Sequence, residues 1–222
     1  MVRNSEDVAL KYITDLYARE CKDLEKARLS IDEAGLRKIN ISPAEGKLLY
    51  FLTKMQKPEV VIEVGTLSAY STLWMAKALA DSAKIYSFES DEKAFQTAKD
   101  NVSSSDFAEK IEIIFGDAHQ NLADFYNGES NAMNKADMIF IDAEKKGYPK
   151  YLDWAENSLR KGGLIVADNT FLNGSVYGEN EKTDKKLVNA MQDFNQRLAD
   201  ESKFDSVIIP TSEGLSAAIK KF

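Results

Sequence analysis

The sequence has little of the chemistry on which many protein classes depend. Its 222 residues include one cysteine, Cys21, and one histidine, His119. A lone cysteine forms no internal disulfide, and we interpret Cys21 as an ordinary helix residue. A lone histidine excludes zinc sites built from several histidines, and the absence of a nucleophile elbow near it argues against a serine–histidine–acid triad. Any bound metal must therefore be held mostly by oxygen.

Long apolar segments and an excess of positive charge are also missing. No apolar run approaches membrane-spanning length, and the first residues lack the apolar core of a signal peptide. The 36 acidic residues outnumber the 29 basic ones, which disfavours a surface that follows nucleic-acid phosphates. We therefore expect a cytoplasmic protein that binds neither nucleic acid nor membrane. The length, with no linker-like stretch, predicts one domain over residues 1–222.

What the chain does contain is a regular alternation of apolar, strand-length runs and helix-like segments. This alternation predicts an α/β fold with a doubly wound, mostly parallel, Rossmann-like sheet. The last two runs lie too close together for a helical crossover, so we expect them to form an antiparallel pair at the sheet edge. The seven predicted strands are residues 60–64, 84–88, 111–115, 137–141, 163–167, 206–210 and 215–219.

Helical patterns precede the first predicted strand. Ser42, Pro43 and Glu45 form an N-cap, a first-turn proline and a capping box, which together predict a helix start. Residues 8–24 carry apolar side chains at helical spacing, which predicts a single helix there. We interpret residues 1–40 as an N-terminal helical extension that shapes an acceptor pocket or a partner surface.

Polar residues that suit a nucleoside cofactor follow the first and second predicted strands. Ligands of open α/β sheets collect beyond the carboxyl ends of the strands. In the turn at 65–69, Leu67 and Ala69 stand where a dinucleotide fingerprint has glycines, which favours a carboxylate over a pyrophosphate. The following helix N-terminus can receive that carboxylate, and Ser71 adds a hydroxyl. Glu89, after the second strand, can accept hydrogen bonds from both hydroxyls of a ribose.

The end of the third strand supplies an adenine site. Asp117 can accept from the amino group of adenine, and the Ala118 amide can donate to its ring. A carboxylate, a ribose and an adenine together describe S-adenosylmethionine. Taken singly, each acid equally fits a solvated strand end, and Glu63 equally fits a cap on a backbone amide; their succession after consecutive strands favours the cofactor. We interpret His119 as a loop residue beside the adenine, without a catalytic role.

A metal site is predicted at the next two strand ends. Asp142 ends the fourth strand, and Asp168 and Asn169 end the fifth, so their oxygens can converge on one ion. Such ligands suit magnesium, manganese or calcium. Three protein ligands leave positions for two vicinal substrate oxygens, and the cation would make the substrate hydroxyl more acidic. Lys145, three residues after Asp142, is the candidate general base.

The candidate cofactor and metal residues described above resemble those of the metal-dependent class I O-methyltransferases. This is the family of catechol and caffeoyl-CoA O-methyltransferases, and the resemblance is to its small bacterial form. The resemblance runs from about Ile39 to the C-terminus. The motifs that carry it are Ile41-Ser42-Pro43-Ala44-Glu45-Gly46, Glu63-Val64-Gly65-Thr66 with Tyr70-Ser71, Gly116-Asp117-Ala118, Phe140-Ile141-Asp142-Ala143-Glu144-Lys145 with Tyr148, Gly162-Gly163-Leu164-Ile165-Val166-Ala167-Asp168-Asn169, and Gly214-Leu215-Ser216.

The resemblance implies a role for each site residue. It implies metal ligation by Asp142, Asp168 and Asn169, and proton removal by Lys145. It also implies a homodimer with a phenolic or catechol-like acceptor. The residues implied to line the S-adenosylmethionine site are Ile41, Glu63, Gly65, Thr66, Ser71, Glu89, Asp117, Ala118 and Asp142.

The chain departs from the family pattern at a few positions. Ala69 stands in place of a usual glycine, and Glu144 in place of a usual aspartate. Thr170 and Phe171 replace commoner aliphatic residues in the loop after the fifth strand, so the acceptor is left open. Three aromatic residues fit either stacking on an acceptor ring or plain packing. They are Tyr148, Phe171 and Tyr177.

The sequence thus predicts a divalent-metal-dependent enzyme that transfers a methyl group from S-adenosylmethionine to one hydroxyl of a catechol-like or caffeoyl-type molecule. Two alternatives remain beside it. An NAD-dependent dehydrogenase would use a similar sheet but is disfavoured by the glycine-poor first turn. A non-catalytic module that senses S-adenosylmethionine or metal would need no base, which the presence of Lys145 disfavours.

Overall fold

A computed structural model of the chain describes residues 8–127, 136–180 and 182–222. The seven predicted strands are confirmed, and they follow the order β3-β2-β1-β4-β5-β7-β6 in a single sheet. The strands are β1 (Val60–Val64), β2 (Lys84–Glu89), β3 (Ile111–Phe115), β4 (Ala136–Ile141), β5 (Leu159–Ala167), β6 (Phe204–Ile209) and β7 (Leu215–Lys220). The helices are α1 (Val8–Tyr17), α2 (Lys22–Glu33), α3 (Pro43–Gln56), α4 (Tyr70–Ala76), α5 (Glu92–Ser103), α6 (Ala118–Asn127), α7 (Tyr148–Ser158) and α8 (Lys185–Leu198).

The strand directions confirm a mostly parallel sheet with an antiparallel edge. Strand β4 pairs in parallel with β1 and with β5, and β2 pairs in parallel with β3. Strand β7 is antiparallel to both β5 and β6. Only residues 210–214 link β6 to β7, which leaves no room for a crossover helix. No helix in the described ranges is long and apolar enough to cross a membrane.

The chain divides into two compact units. The first holds the residues up to Glu59 together with Gly65–Asp117, and the second holds Val60–Val64 and Ala118–Phe222. Leu24, Leu49 and Trp74 are buried in the first unit. Phe140 and Phe194 are buried in the second. Each unit therefore has large apolar side chains removed from water, which is the main favourable term in folding.

The N-terminal segment differs from the single helix predicted over 8–24. Helix α1 ends at Tyr17 and α2 begins at Lys22. Cys21 has φ −82° and ψ 171° and is the N-cap of α2, where the prediction had an ordinary residue within one continuous helix. The break allows the carboxylate of Glu20 to accept three hydrogen bonds from Arg28 and one from the Tyr70 hydroxyl. Tyr70 is fifty residues from Glu20, so a helical pattern of apolar residues does not reveal this contact.

The predicted start of α3 is confirmed in detail. The Ser42 side chain accepts a hydrogen bond from the Glu45 backbone N–H at 3.2 Å, and the Glu45 carboxylate accepts one from the Ser42 N–H at 2.8 Å. Pro43 is the first helical residue, where its missing N–H leaves no hydrogen bond unmade. Ile41, implied by the resemblance to line the cofactor site, is buried directly before this cap.

Gly46 in α3 is a glycine that packing requires. A Cβ atom at this position would lie 2.3 Å from Nε1 of the buried Trp74 ring. We expect Gly46→Ala to lower the free energy of unfolding by about 1–3 kcal/mol, because the ring must shift in a packed interior. Helix propensity alone predicts a gain of about 1 kcal/mol, so the sign of the change separates the two effects.

Urea unfolding followed by circular dichroism measures this change. The matched control is Lys54→Ala, an exposed position on the same helix, for which we expect a change within about 0.5 kcal/mol. A Gly46→Ala protein that is more stable than the wild type would contradict the close packing of Trp74 against this helix.

Candidate active site

The first unit brings the turn after β1 against the end of β2. The Gly65 N–H donates to the Phe88 carbonyl at 3.0 Å. The Thr66 and Ser87 hydroxyls lie 2.6 Å apart and are both buried. The Leu67 N–H donates to Oε2 of Glu89 at 2.8 Å. Backbone and side-chain bonds thus hold three of the predicted cofactor residues, Gly65, Thr66 and Glu89, in one place.

Glu89 is positioned from two sides. Its Oε2 accepts from Leu67 and its Oε1 accepts from the Asp91 N–H at 2.9 Å. A carboxylate offers about four acceptor sites, so capacity remains on both oxygens for the two hydroxyls of a ribose. Glu89 also pairs in register with Phe115, and the Gly116 N–H donates to its carbonyl. Asp117, the next residue, is exposed at the same end of the β2–β3 pair.

The glycine-poor turn adopts a backbone that glycine would normally supply. Leu67 has φ 51° and Ala69 has φ 65°, both in the left-handed region that costs side-chain-bearing residues energy. Ala69 is fully buried and packs with Ala98 and Val102. Ser71 is nearly buried in the first turn of α4, whose N-cap, Ala69, makes no side-chain cap. The turn therefore keeps its shape without the glycines of a dinucleotide fingerprint.

In the second unit, the predicted metal ligands Asp142 and Asp168 follow the ends of the adjacent strands β4 and β5. Ile141 and Ala167 are partners in register, so Asp142 and Asp168 follow at the same level of adjacent strands, which lie about 4.8 Å apart. The Asp142 N–H donates to the Val64 carbonyl, and the Asp168 N–H donates to the Ile141 carbonyl. Two acidic residues therefore follow neighbouring strand ends at the same level of the sheet.

The chemistry of this donor set fits a hard cation. Asp168 is fully buried, and Asn169 has φ 58°, a left-handed conformation that asparagine tolerates better than most residues. No group of three or more histidine, cysteine or acidic side chains that could hold a metal occurs in the ranges that the structure describes. The predicted set has two carboxylates and one amide. Glu63, also fully buried, pairs with Phe140 in register.

Lys145 lies against this acidic edge. It begins the short 3-10 turn Lys145–Gly147 that follows β4. Its Nζ is 3.1 Å from Oδ1 of Asp142 and 2.7 Å from the Tyr148 hydroxyl, and its side chain is 17% exposed. Lys146, the next residue, is 61% exposed and lies 3.9 Å from Asp184. The structure thus separates a partly buried lysine beside Asp142 from a solvated neighbour.

His119 is not the loop residue that the sequence analysis expected. It lies in the first turn of α6, because helix α6 begins at Ala118. Its ring stacks on Tyr151 with centroids 4.3 Å apart, and its Nε2 is 3.2 Å from a carboxylate oxygen of Glu144. The Tyr151 hydroxyl donates to the same carboxylate. Glu144 therefore joins two aromatic side chains instead of contacting the acidic strand ends.

The three aromatic residues left open by the sequence have different surroundings. Tyr148 is fully buried, which favours packing over stacking on an acceptor. Phe171 and Tyr177 meet edge to face with centroids 5.6 Å apart, and Tyr177 is 56% exposed. Tyr148 was not predicted from its sequence context to form hydrogen bonds through its hydroxyl. Its spacing of three from Lys145, which puts residues on one face of a helical turn, was the available signal.

The fold and these side chains define a family. The model of the O-methyltransferase family matches residues 15–221. The chain is also 34% identical, over 95% of its length, to a catechol O-methyltransferase of Niastella koreensis, 95% of which is covered. The chain therefore belongs to the O-methyltransferase family and is an enzyme of that class. This assignment argues against the dehydrogenase alternative.

Two further proteins are similar over most of their length. A caffeoyl-CoA O-methyltransferase of Stellaria longipes is 28% identical, with 91% of this chain and 85% of that protein covered. The crystal structure of the O-methyltransferase TomG from Streptomyces achromogenes, involved in tomaymycin synthesis and in complex with SAM, superposes with a TM-score of 0.87. The two chains are 25% identical, with 100% of each covered.

Proposed function

We propose that this O-methyltransferase uses S-adenosylmethionine and a divalent cation to methylate one hydroxyl of a catechol-like or caffeoyl-type phenol. The observation that carries the proposal is the group at the ends of β4 and β5. Asp142 and Asp168 follow in-register strand partners, and Lys145 lies 3.1 Å from Asp142. The names of the relatives support the acceptor class.

Each part of the group has a separate task. We assign cation binding to Asp142, Asp168 and Asn169, and a bound magnesium, manganese or calcium ion would lower the pKa of a coordinated hydroxyl. Lys145 accepts the proton of that hydroxyl, and the phenolate oxygen attacks the methyl carbon. When bound, S-adenosylmethionine would supply a sulfonium leaving group, and the carbon–sulfur electrons would return to sulfur as a neutral thioether. The protein supplies alignment and electrostatics, and no covalent enzyme intermediate is needed.

The cofactor contacts are assigned within each unit. In the first unit we assign Ile41, Gly65, Thr66, Ser71, Glu89 and Asp117 to S-adenosylmethionine. In the second unit we assign Glu63, Ala118 and Asp142. The TomG complex with SAM, together with the two-sided positioning of Glu89, supports this assignment.

Glu89→Gln tests the ribose contact. Replacing a charged acceptor with a neutral amide removes about 1.5–3 kcal/mol of hydrogen bonding, so we expect affinity for S-adenosylmethionine to fall about 10- to 100-fold. Isothermal calorimetry measures the loss. Glu92→Gln, an exposed residue in the first turn of α5, is the matched control and should bind as the wild type does. Equal affinities for the wild type and Glu89→Gln would remove Glu89 from the cofactor site.

The proposal as a whole is tested with metal-stripped protein. Calorimetry measures S-adenosylmethionine binding, and a methyl-transfer assay on catechol, caffeoyl and other phenolic acceptors follows with and without magnesium. Binding together with magnesium-dependent transfer supports the proposal. Binding without transfer to any acceptor would favour the alternative of a non-catalytic sensor, and a lack of binding would reject the cofactor.

We also propose that the enzyme is a homodimer in the cytoplasm. Helix α1 presents exposed Tyr12, Leu16 and Tyr17, and α3 in the same unit presents exposed Phe51 and Met55. Exposed apolar side chains on two elements of one unit are typical of a partner surface. Light scattering coupled to size exclusion measures the mass. A mass near 24.8 kDa at micromolar concentration would contradict the dimer.

A further inference from the structure

The Tyr148 hydroxyl occupies a special position beside Lys145. The Tyr148 side chain is fully buried, and its ring meets Phe194 edge to face at 5.2 Å. Its oxygen lies 2.8 Å from the Asp168 carbonyl and 3.2 Å from the Ile141 carbonyl. The Nζ of Lys145 lies 2.7 Å away from the same oxygen. One hydroxyl therefore contacts the backbone of both strand ends and the proposed base.

The direction of each hydrogen bond follows from counting protons. A tyrosine hydroxyl has one proton to donate, and carbonyl oxygens only accept. That proton is directed to the two carbonyls, with the Asp168 carbonyl the nearer. An N–H of Lys145 must consequently donate to the lone pair that remains on the Tyr148 oxygen.

The same counting fixes the orientation of the lysine amine. Lys145 has a second acceptor in Oδ1 of Asp142, at 3.1 Å. A neutral amine carries two N–H bonds and one lone pair in a tetrahedral arrangement. When both N–H bonds are directed to Tyr148 and Asp142, the remaining direction belongs to the lone pair, which is where a proton must arrive. Two acceptors are thus enough to fix the direction of the lone pair on Nζ, whereas a single acceptor does not fix it.

We propose that Tyr148 is a positioning residue that acts through Lys145 by directing the lone pair of its amine toward the hydroxyl of the acceptor. The inference rests on the proposed function, in which Lys145 is the base. The contacts of the Tyr148 hydroxyl are the Lys145 amine and two backbone carbonyls, so its effect on the reaction passes through the base. A misdirected base costs rate without loss of cofactor binding, and misplacement by about 1 Å costs about 100-fold.

A double-mutant cycle distinguishes positioning from simple packing. We compare wild type, Tyr148→Phe, Lys145→Ala and the double variant in single-turnover methyl transfer at saturating S-adenosylmethionine and acceptor. Tyr148→Phe is expected to lower the rate about 10- to 100-fold when Lys145 is present, and less than about twofold when Lys145 is already alanine. Independent, additive losses in the cycle would overturn the proposal.

Further readouts exclude a general structural effect. Tyr151→Phe is the matched control, since it also removes a buried hydroxyl from α7 but one that binds Glu144. It should leave the rate within about twofold. In Tyr148→Phe the calorimetric affinities for S-adenosylmethionine and for magnesium should stay within about threefold. Loss of magnesium affinity would instead mean that Tyr148 acts on the metal site, which overturns a role through Lys145.

A measurement on the wild-type chain covers the case in which Tyr148→Phe does not fold. When Lys145 is protonated, its ammonium faces the same two acceptors, Tyr148 and Asp142. Protons held by two acceptors exchange slowly with water, and 15N-labelled lysine reports them by NMR. We expect slowly exchanging Nζ protons that vanish in Lys145→Ala and persist in Lys146→Ala. Exchange at Lys145 as fast as at exposed lysines would overturn the proposal. Absence of methyl transfer by the wild type would instead reject the proposed function, which keeps the two failures distinct.

Discussion

Asp168→Asn is expected to abolish magnesium-dependent methyl transfer and to remove the effect of magnesium on thermal stability. The substitution preserves side-chain volume in a fully buried position but removes one of two carboxylates at the strand ends. A cation at 100 times its dissociation constant stabilises a protein by about 2.7 kcal/mol. For a chain of this size that corresponds to a rise in melting temperature of about 5–10 °C. We expect this rise in metal-stripped wild type and none in the variant.

Differential scanning fluorimetry with and without magnesium measures the shift, and turnover is measured on the same samples. Asp205→Asn is the matched control, because Asp205 lies exposed on the edge strand β6 and pairs with Lys221. It should keep both the shift and the activity. A magnesium shift that survives in Asp168→Asn, or undiminished turnover, would contradict the metal role of Asp168.

Much of this fold was accessible from sequence because its signals are local. The strands appear in the sequence as short apolar runs, and the bounds of β1 and β3 match the prediction to the residue. The α3 start was equally clear, since its N-cap, proline and capping glutamate are adjacent. The break between α1 and α2 was missed because it depends on Glu20 meeting Tyr70, fifty residues away.

In the candidate site, too, the features with local sequence signals were predicted and those that depend on distant contacts were not. Asp142 and Asp168 were predicted from their place after apolar runs, and the strand register places the two residues at the same level of adjacent strands. The arrangement of Tyr148 needed the structure, because its partners include backbone carbonyls, which have no sequence signature. Helix α6 begins at Ala118, so Asp117 is in the place of an N-cap. Asp117 had been assigned to the cofactor instead, and His119 was therefore predicted to lie in a loop.

Lys145→Ala is expected to lower kcat about 10²- to 10⁴-fold, the usual range for removal of a general base, while S-adenosylmethionine binding stays nearly intact. The adjacent Lys146→Ala is the matched control: it removes the same charge one residue further on, where the side chain is 61% exposed. It should leave kcat within about twofold.

Calorimetry on both variants separates binding from chemistry. If Lys145→Ala lost cofactor affinity in proportion to its rate, Lys145 would be a binding residue. Only Lys145 has Asp142 and Tyr148 to orient its amine, so a specific role as base predicts a loss of rate in Lys145→Ala alone. An equal loss of rate in both variants would mean that the positive charge of the segment is what matters.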